Sequence, residues 1–278
     1  NIKVSFNTPI LIIAFNRPDK IKKILHILST LKPEKIFLSV DGPRLNNMDD
    51  RKKCNEVKNL LSYFDWDCTV ARKYEDINLG CKINVIKSID WFFELNDEGI
   101  ILEDDCLPSI SFFYFCEKML NKYNSNYKIM HINGSNLGID FSNFFHESYF
   151  FSKLNHVWGW ATWKRSWKFF NRNFSNYKKL KNNKVIKKYF SNRDIYNWMI
   201  NYYEKSYNGK DNIWSTNWSF SIVEEDGLCI SPSKNLVRNI GFDGSGTSGG
   251  TRRFKKLSEV DIHEIENFNY QKNINYNI

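Results

Sequence analysis

Short apolar runs alternate with helical patterns over the first hundred residues of the chain. A continuous apolar run followed by turn-forming residues is typical of a parallel strand that is buried on both faces. The predicted strands of this kind cover residues 8–15, 35–40, 69–71 and 100–102. The predicted helices between them carry apolar residues three or four positions apart, at 21–31, 57–61 and 83–93. This alternation predicts an α/β fold with a mostly parallel central sheet and right-handed crossovers.

The pattern changes after the fourth predicted strand, where aromatic residues become more frequent. The segments predicted there are an aromatic-rich helix at 112–120, strands at 128–132, 148–152 and 228–231, and a helix at 214–225. Residues 168–193 are rich in Lys and Asn, which predicts a solvated helical excursion. We therefore expect one domain over 1–278, composed of a parallel half (about 1–108), a smaller mixed region (about 109–253) and a tail (254–278).

The composition suits a folded protein that binds an anion. Hydrophobic residues make up 42% of the chain and the formal net charge is +9. This balance fits anionic small molecules, acidic glycans, a membrane surface or nucleic acid. The basic residues are spread out and form no motif that reads RNA or DNA, so we expect no nucleic-acid partner.

Cysteine usage and the termini bear on location. The six cysteines show no CxxC and no Cys–His metal spacing, which predicts reduced, mostly buried thiols in the cytoplasm. No signal peptide is visible, and no apolar run has the length of a membrane span. The first residue, Asn1, is not Met, and whether the chain is a fragment of a larger protein stays open.

Three consecutive carboxylates, those of Glu103, Asp104 and Asp105, follow the fourth predicted strand. Arg17 follows the first predicted strand and Asp41 the second. Because the carboxyl ends of parallel strands meet at one edge, where open α/β sheets bind ligands, these residues should lie together. Adjacent carboxylates repel one another unless a cation lies among them, and a hard divalent ion that holds a diphosphate fits this need. The alternative is a solvated acidic turn, and Arg17 and Asp41 are also plausible as a helix-start residue and a turn former.

Two other features are candidate walls of a binding site. Three tryptophans lie within 157–163; such residues most often pack in a core, but Trp160 also suits a wall of a donor pocket or a platform for a sugar. The Gly/Ser-rich run 243–250 is followed by Arg252 and other cations. That segment fits either a surface loop or a lid whose cations stabilise a diphosphate. P-loop spacing and a strand–GxGxxG–helix unit are missing, which disfavours kinases and nicotinamide enzymes.

Four segments together resemble one enzyme family. They are 8–17, 39–42, 99–108 with the aromatic helix after it, and 158–160. In this order they are similar to the GT-A glycosyltransferases related to N-acetylglucosaminyltransferase I, including bacterial surface-glycan relatives. The resemblance extends from about residue 8 to about residue 250. It implies a GT-A type fold with a Rossmann-like half for the nucleotide-sugar and a second half for the acceptor.

The resemblance also implies a role for each polar residue at the sheet edge. The acidic triplet resembles that family's version of the DxD motif, in which Asp105 would bind Mn²⁺ or Mg²⁺ directly. Glu103 and Asp104 would contact the sugar or ribose of the donor, and Asp41 and Arg17 would hold the nucleotide.

The implied reaction is an inverting transfer from a UDP-sugar to a hydroxyl of a glycan, lipid-linked or protein-linked acceptor in bacterial surface polysaccharide synthesis. Peripheral association with the inner face of the membrane is an open alternative to a purely cytoplasmic location, and the oligomeric state also stays open.

The chain departs from this family at two places. Relatives carry a carboxylate beside a tryptophan at the start of the late helix, where it deprotonates the acceptor, whereas residues 214–218 contain none. Asp211 is the first substitute and Glu224 the second. Relatives also commonly carry a histidine in the loop over the phosphates, where this chain has Thr247-Ser248-Gly249. The missing carboxylate supports a second hypothesis, a carbohydrate-binding or scaffold module with a decayed active site.

Overall fold

A computed structural model describes residues 6–141, 146–242 and 256–271. Its strands are β1 (Ile10–Ala14), β2 (Lys35–Val40), β3 (Thr69–Tyr74), β4 (Glu98–Glu103), β5 (Cys106–Pro108), β6 (Ile129–Asn133), β7 (Tyr149–Ser152), β8 (Trp160–Trp163), β9 (Leu228–Pro232) and β10 (Val237–Asn239). Eight of them form one sheet in the order β3-β2-β1-β4-β8-β6-β9-β7, and β5 pairs with β10 in a separate ribbon. The expected α/β class with a mostly parallel sheet flanked by helices is confirmed.

The direction of the strands defines a ligand crevice. Strands β1 to β4 are mutually parallel, β8 runs against β4, and β6 and β9 run in the direction of β4 again. From β1 the chain moves outward to β2 and β3 and then returns to place β4 on the other side of β1. The strand order therefore reverses between β1 and β4. Ligands of open α/β sheets bind outside the carboxyl ends of the strands at such a switch point.

Helices cover both faces of the sheet. They are α1 (Pro18–Leu31), α2 (Met48–Leu60), α3 (Cys81–Leu95), α4 (Ile110–Tyr123), α5 (Lys164–Trp167), α6 (Tyr177–Asn182), α7 (Val185–Tyr189), α8 (Arg193–Tyr207) and α9 (Trp214–Glu224). Alternate residues of β1 enter different cores: Ile10 and Ile12 pack in a core with α1 and α4, whereas Leu11 and Ile13 pack in one with α3 and α9. This alternation follows from the two-residue period of a strand.

The course of α9 determines which of its ends faces the crevice. A short turn joins α9 to β9, which runs parallel to β4. A helix that packs on a sheet before such a strand runs opposite to it, so the first turn of α9 lies at the carboxyl edge. Its last turn lies about 15 Å away, toward the opposite edge, because eleven residues rise 1.5 Å each.

Two expectations from the sequence pattern are wrong in detail. Ile83, the first residue of the apolar pattern predicted at 83–93, is half exposed, and Val85 and Phe92 occupy the core face of α3 with Ile89. The excursion at 168–193 is more than solvated helix, because its aromatic residues and those of α8 build a third core against α9. That core makes the excursion a small helical lobe with its own packing.

The described C-terminal segment packs against the rest of the domain. Residues 256–271, part of the predicted tail, lie against the body: both carboxylate oxygens of Glu264 accept hydrogen bonds from the first amides of α4, and the Phe268 ring contacts Phe115 and Tyr149. All six cysteines are free thiols and four are buried, as predicted. Among the described helices, none is both long enough and apolar enough to cross a membrane.

Candidate functional site

The structure brings Arg17 and the acidic triplet together at the switch point. In the parallel pairing of β1 with β4, Ile13 is the partner of Glu103. The Asp104 amide then donates to the Ile13 carbonyl at 3.0 Å, which extends the ladder one residue past β4. Arg17 stands before the first turn of α1, because Pro18 starts that helix directly after β1.

Asp104 is a buried carboxylate with one oxygen that is only partly satisfied. Its side chain is 2% exposed, and its Oδ2 accepts a hydrogen bond from the Phe15 amide at 3.1 Å. Its Oδ1 lies 2.5 Å from Nη2 of Arg17, an ion pair by distance. The contact lacks the angle of a hydrogen bond, and Oδ1 has no hydrogen-bond partner in the described part of the chain. A buried acceptor in this state is costly unless a ligand or ion completes its shell.

Asp105 is partly exposed at the carboxyl edge of the sheet and is held from both sides. Its side chain is 18% exposed, and its Oδ2 accepts a hydrogen bond from Nη1 of Arg17 at 2.9 Å. On the other side β10 pairs with β5, so Asn239 Nδ2 lies 3.5 Å from Oδ1. A methyl group at Gly241 would lie 2.4 Å from Oδ2. Only glycine therefore leaves Asp105 in this position.

The carboxylates raise each other's pKa. Burial and the neighbouring Asp105 and Asp104 raise the pKa of Glu103 to about 8. Burial raises the pKa of Asp104 to about 6, although Arg17 and the buried Lys20 oppose the shift. Burial alone would lower the pKa of Arg17, but Asp104 and Asp105 outweigh it and raise the pKa. Burial and the neighbouring carboxylates therefore disfavour ionisation of this cluster, and a cation bound among the carboxylates would oppose both effects.

The residues present fit a divalent ion that arrives with a phosphate ligand. Among the described residues, no group of three or more His, Cys, Asp and Glu side chains forms a metal cage. Mg²⁺ bound with a nucleotide needs only one or two carboxylates, because phosphates and water fill its other positions. Asp105 supplies partly exposed oxygens, and Asp104 supplies one that has an ion pair with Arg17 but no hydrogen bond among the described residues. The arrangement thus fits a metal–diphosphate complex better than a permanently bound ion.

Asp41 lies at the same edge and organises a loop. Its side chain is buried, and Oδ1 accepts hydrogen bonds from the amides of Gly42 and Leu79, both at 2.9 Å. Its Oδ2 accepts from Nδ2 of Asn78 at 3.0 Å. Burial raises the pKa of Asp41 above its ordinary value, against the effect of these amide donors. Asp41 therefore fixes the loop that leads into α3, beside the crevice.

Trp160 lies in the core and has no surface for a donor. Its ring is fully buried on β8 and packs against the rings of His131, Trp214 and Trp218. The expectation that Trp160 forms a wall of a donor pocket is therefore wrong. Trp160 packs in the core, because alternate residues of β8 enter the two cores. Trp158, two residues earlier, is only half-buried and contacts Phe242 with ring centroids 5.4 Å apart.

The two candidate bases lie at opposite ends of α9. Glu224 ends α9 at the far edge and accepts hydrogen bonds from Asn171 and Asn176. Asp211 precedes the first turn of α9 at the near edge. Its Oδ1 accepts from the Ser206 hydroxyl at 2.7 Å, while its Oδ2 is buried without a partner among the described residues. The expectation that Glu224 is a base is therefore wrong, because its hydrogen bonds hold the helical lobe to the end of α9. Asp211 links α8 to the start of α9 through its hydrogen bond with Ser206.

A cavity of about 300 Å³ opens at the start of α9. Its apolar lining is Leu137, Leu154, Val157, Trp158, Trp198, Met199 and Ile213. Its polar lining is Asn155, His156, Tyr202, Ser215, Thr216 and Ser219. No Asp, Glu, Lys or Arg is among these described lining residues. Two contacts connect the cavity with the acidic site: Trp158 of the lining contacts Phe242, and the preceding residue, Gly241, lies against Asp105.

No protein-family model matches this chain, and no curated protein matches it. The chemistry of the edge is therefore inferred from its own residues. Arg252 and the 243–250 run lie outside the described residues, so their expected role as a lid stays a prediction. Before that run, the Ile240 amide donates to the Asp105 carbonyl at 2.8 Å, and Gly241 lies against the Asp105 side chain.

Several residues of the site gave no signal in the sequence. Asn239 and Gly241 reach Asp105 only because β10 pairs with β5 across more than a hundred residues. Lys20 looked like an ordinary helix lysine, yet it is buried. His156 followed an unremarkable Leu-Asn pair, and only the fold places it in the cavity. For His156, the one available indication in the sequence was its position near an aromatic cluster, which is weak evidence of a binding site.

Proposed function

We propose that this protein is a metal-dependent glycosyltransferase of GT-A type that transfers a sugar from a UDP-sugar donor to a hydroxyl of a glycan acceptor, with inversion at the anomeric carbon. The observation that carries the proposal is the acidic triplet at the β1/β4 switch point, where Asp104 Oδ1 has an ion pair but no hydrogen bond among the described residues and Asp105 is partly exposed. Bacterial surface polysaccharide synthesis, with a lipid-linked or protein-linked acceptor, is the setting that the sequence resemblance suggests.

Each residue of the edge has a task under this proposal. Asp105 would hold Mn²⁺ or Mg²⁺ together with the donor phosphates, and Asp104 and Glu103 would contact the ribose or sugar hydroxyls. When bound, the ion would supply Lewis-acid stabilisation of the diphosphate leaving group. Arg17 sets the position of both aspartates through its two Nη atoms and places a fixed positive charge near the phosphates. Asp41 holds the 78–80 loop beside the nucleotide.

Calorimetry of UDP binding, with and without Mn²⁺, tests the proposal. We expect wild type to bind UDP more tightly with Mn²⁺ and Asp105→Asn to lose most of that gain, because the amide is a poor ligand for a hard cation. Asp49→Asn is a matched control, because Asp49 is an exposed carboxylate on α2 that pairs with Lys53. Equal Mn²⁺-dependent UDP binding by wild type and Asp105→Asn would reject the assigned metal role.

A second candidate is a carbohydrate-binding module that has lost catalysis. It is favoured by one observation: the described lining of the cavity beside the acidic site contains no carboxylate. Transfer and donor hydrolysis measured with UDP-glucose, UDP-galactose and UDP-N-acetylglucosamine separate the two. Turnover of any of these donors would exclude the module, and binding of UDP without turnover of any would favour it.

A further inference from the structure

The loop that carries His156 is held rigidly by two buried side chains of β6. Asn133 Oδ1 accepts from the His156 amide at 2.5 Å, and Asn133 Nδ2 donates to the Leu154 carbonyl at 3.1 Å. His131 Nδ1 accepts from Nε1–H of Trp218 at 3.0 Å, and an indole N–H can only donate. The proton of His131 is therefore on Nε2, which donates to the His156 carbonyl at 3.0 Å. Burial lowers the pKa of His131 to about 3, so this tautomer is kept at neutral pH.

The His156 ring itself is directed to the cavity and is not engaged. It lines the cavity, and no group in the described part of the chain hydrogen-bonds to it. The surrounding protein lowers the pKa of His156 to about 4, chiefly through burial. The ring is therefore neutral at pH 7, with one nitrogen lone pair available to a ligand. His156 is partly exposed and lines the cavity, so a ligand hydroxyl can reach its free ring nitrogen.

The cavity suits a neutral, hydroxylated ligand. His156 and Tyr202 are the ionisable side chains among its described lining residues, and His131 lies directly behind the loop. Trp158 and Trp198 offer aromatic faces, and the hydroxyls of the first turns of α9 offer hydrogen bonds. This combination matches the apolar face and hydroxyl edge of an uncharged sugar ring. This lining disfavours a phosphate. The chain has a formal net charge of +9 and would bind a phosphate elsewhere, through its basic residues.

We propose that His156 is the catalytic base, accepting the proton of the attacking hydroxyl of a neutral sugar held in this cavity. The inference rests on the proposed function and replaces the carboxylate that residues 214–218 lack. The acceptor oxygen forms a bond to the anomeric carbon, while the bond from that carbon to the UDP oxygen breaks and its electron pair leaves with UDP. The hydroxyl proton passes to the unprotonated ring nitrogen of His156, and the imidazolium later returns it to solvent.

A weak base is sufficient for this step. The attacking oxygen becomes strongly acidic as it bonds to an electron-poor carbon, so the proton moves downhill even to a ring of low pKa. The rigid loop keeps the acceptor nitrogen in place, which favours proton transfer without reorganisation.

The test compares wild type with three variants in transfer from UDP-glucose, UDP-galactose or UDP-N-acetylglucosamine to p-nitrophenyl glycosides of uncharged sugars. We expect His156→Gln, which keeps a polar side chain of similar reach, to lower kcat at least about 100-fold and to change KM for the glycoside by no more than a few fold. His156→Ala should lose activity equally, but added imidazole should restore it in proportion to the unprotonated imidazole. His26→Gln, on the exposed side of α1, is the control and should keep wild-type rates.

Each result decides the assignment. Full activity of His156→Gln, or loss of activity in His156→Ala without rescue by imidazole in a folded protein, would overturn the role of His156 and leave the proposed function intact. Absence of turnover by wild type with every donor would overturn both. Loss of Mn²⁺-dependent UDP binding in Asp105→Asn reports on the donor site alone, so the two failures are separable.

Discussion

Substitution of Gly241 by alanine should displace Asp105 without removing any of its atoms. The added methyl would lie 2.4 Å from Oδ2 of Asp105 and 3.0 Å from Oδ1 of Asn239. Because the backbone at Gly241 is not in the left-handed region, alanine itself is unstrained there. The carboxylate must rotate, and the 2.9 Å contact with Arg17 is then lost. Displacement of the carboxylate also removes its contact with the bound ion, and one contact between charged groups contributes about 1.5–3 kcal/mol, so Mn²⁺-dependent UDP affinity should fall about 10- to 100-fold.

The assay is calorimetric titration of UDP with Mn²⁺ on four proteins: wild type, Gly241→Ala, Asp105→Ala and the double variant. If the methyl acts through Asp105, the double variant should bind no more weakly than Asp105→Ala, since the displaced group is already missing. Thermal unfolding should change little, because both residues of the Arg17–Asp105 pair keep access to solvent. Wild-type affinity in Gly241→Ala, or additive losses in the double variant, would refute this steric link.

Three further predictions concern the core, the far edge and the charge cluster. Trp160→Ala should lower the free energy of unfolding by about 3–5 kcal/mol in urea titrations because the ring is fully buried, and an unchanged midpoint would contradict its core position. Glu224→Gln should leave sugar transfer within about twofold, because α9 carries this residue away from the crevice; loss of turnover in the folded variant would restore it as a base. The raised pKa values of Glu103 (about 8) and Asp104 (about 6) mean that the folded state binds more protons than the unfolded one above pH 4. Stability in EDTA should therefore fall as the pH rises from 5 to 8, and Glu103→Gln should flatten that slope; a stability that rises over this range would contradict the assigned burial.

The sequence pattern was sufficient for the parallel half and for the edge where the polar residues meet. A polar residue follows each apolar run, so the sequence alone was sufficient to assign Arg17 and the acidic triplet to the same edge of the sheet. The pattern was ambiguous within α3, where Ile83 and Ile86 fit a helical stripe as well as Val85 and Phe92 did. Only packing against α9 selects between these stripes.

The acceptor side depends on contacts that are remote in sequence. Glu224 was a reasonable base on composition, and its exclusion needs the parallel direction of β9, which pairing with β6 determines. Trp160 could belong to a surface or a core until its strand was placed between β4 and β6. The position of His156 in the cavity depends on Asn133 and His131, whose side chains hold its loop.

The insertion of β8 between β4 and β6 has a consequence for how the chain is made. Synthesis delivers β1 to β4 first, but β4 stays an open edge until residues 160–163 leave the ribosome. An unpaired edge of a largely apolar strand is a template for association with other chains. The nascent protein should therefore depend most on chaperones in this interval, and a fragment that stops at Pro108 should aggregate although it contains every strand of the parallel half.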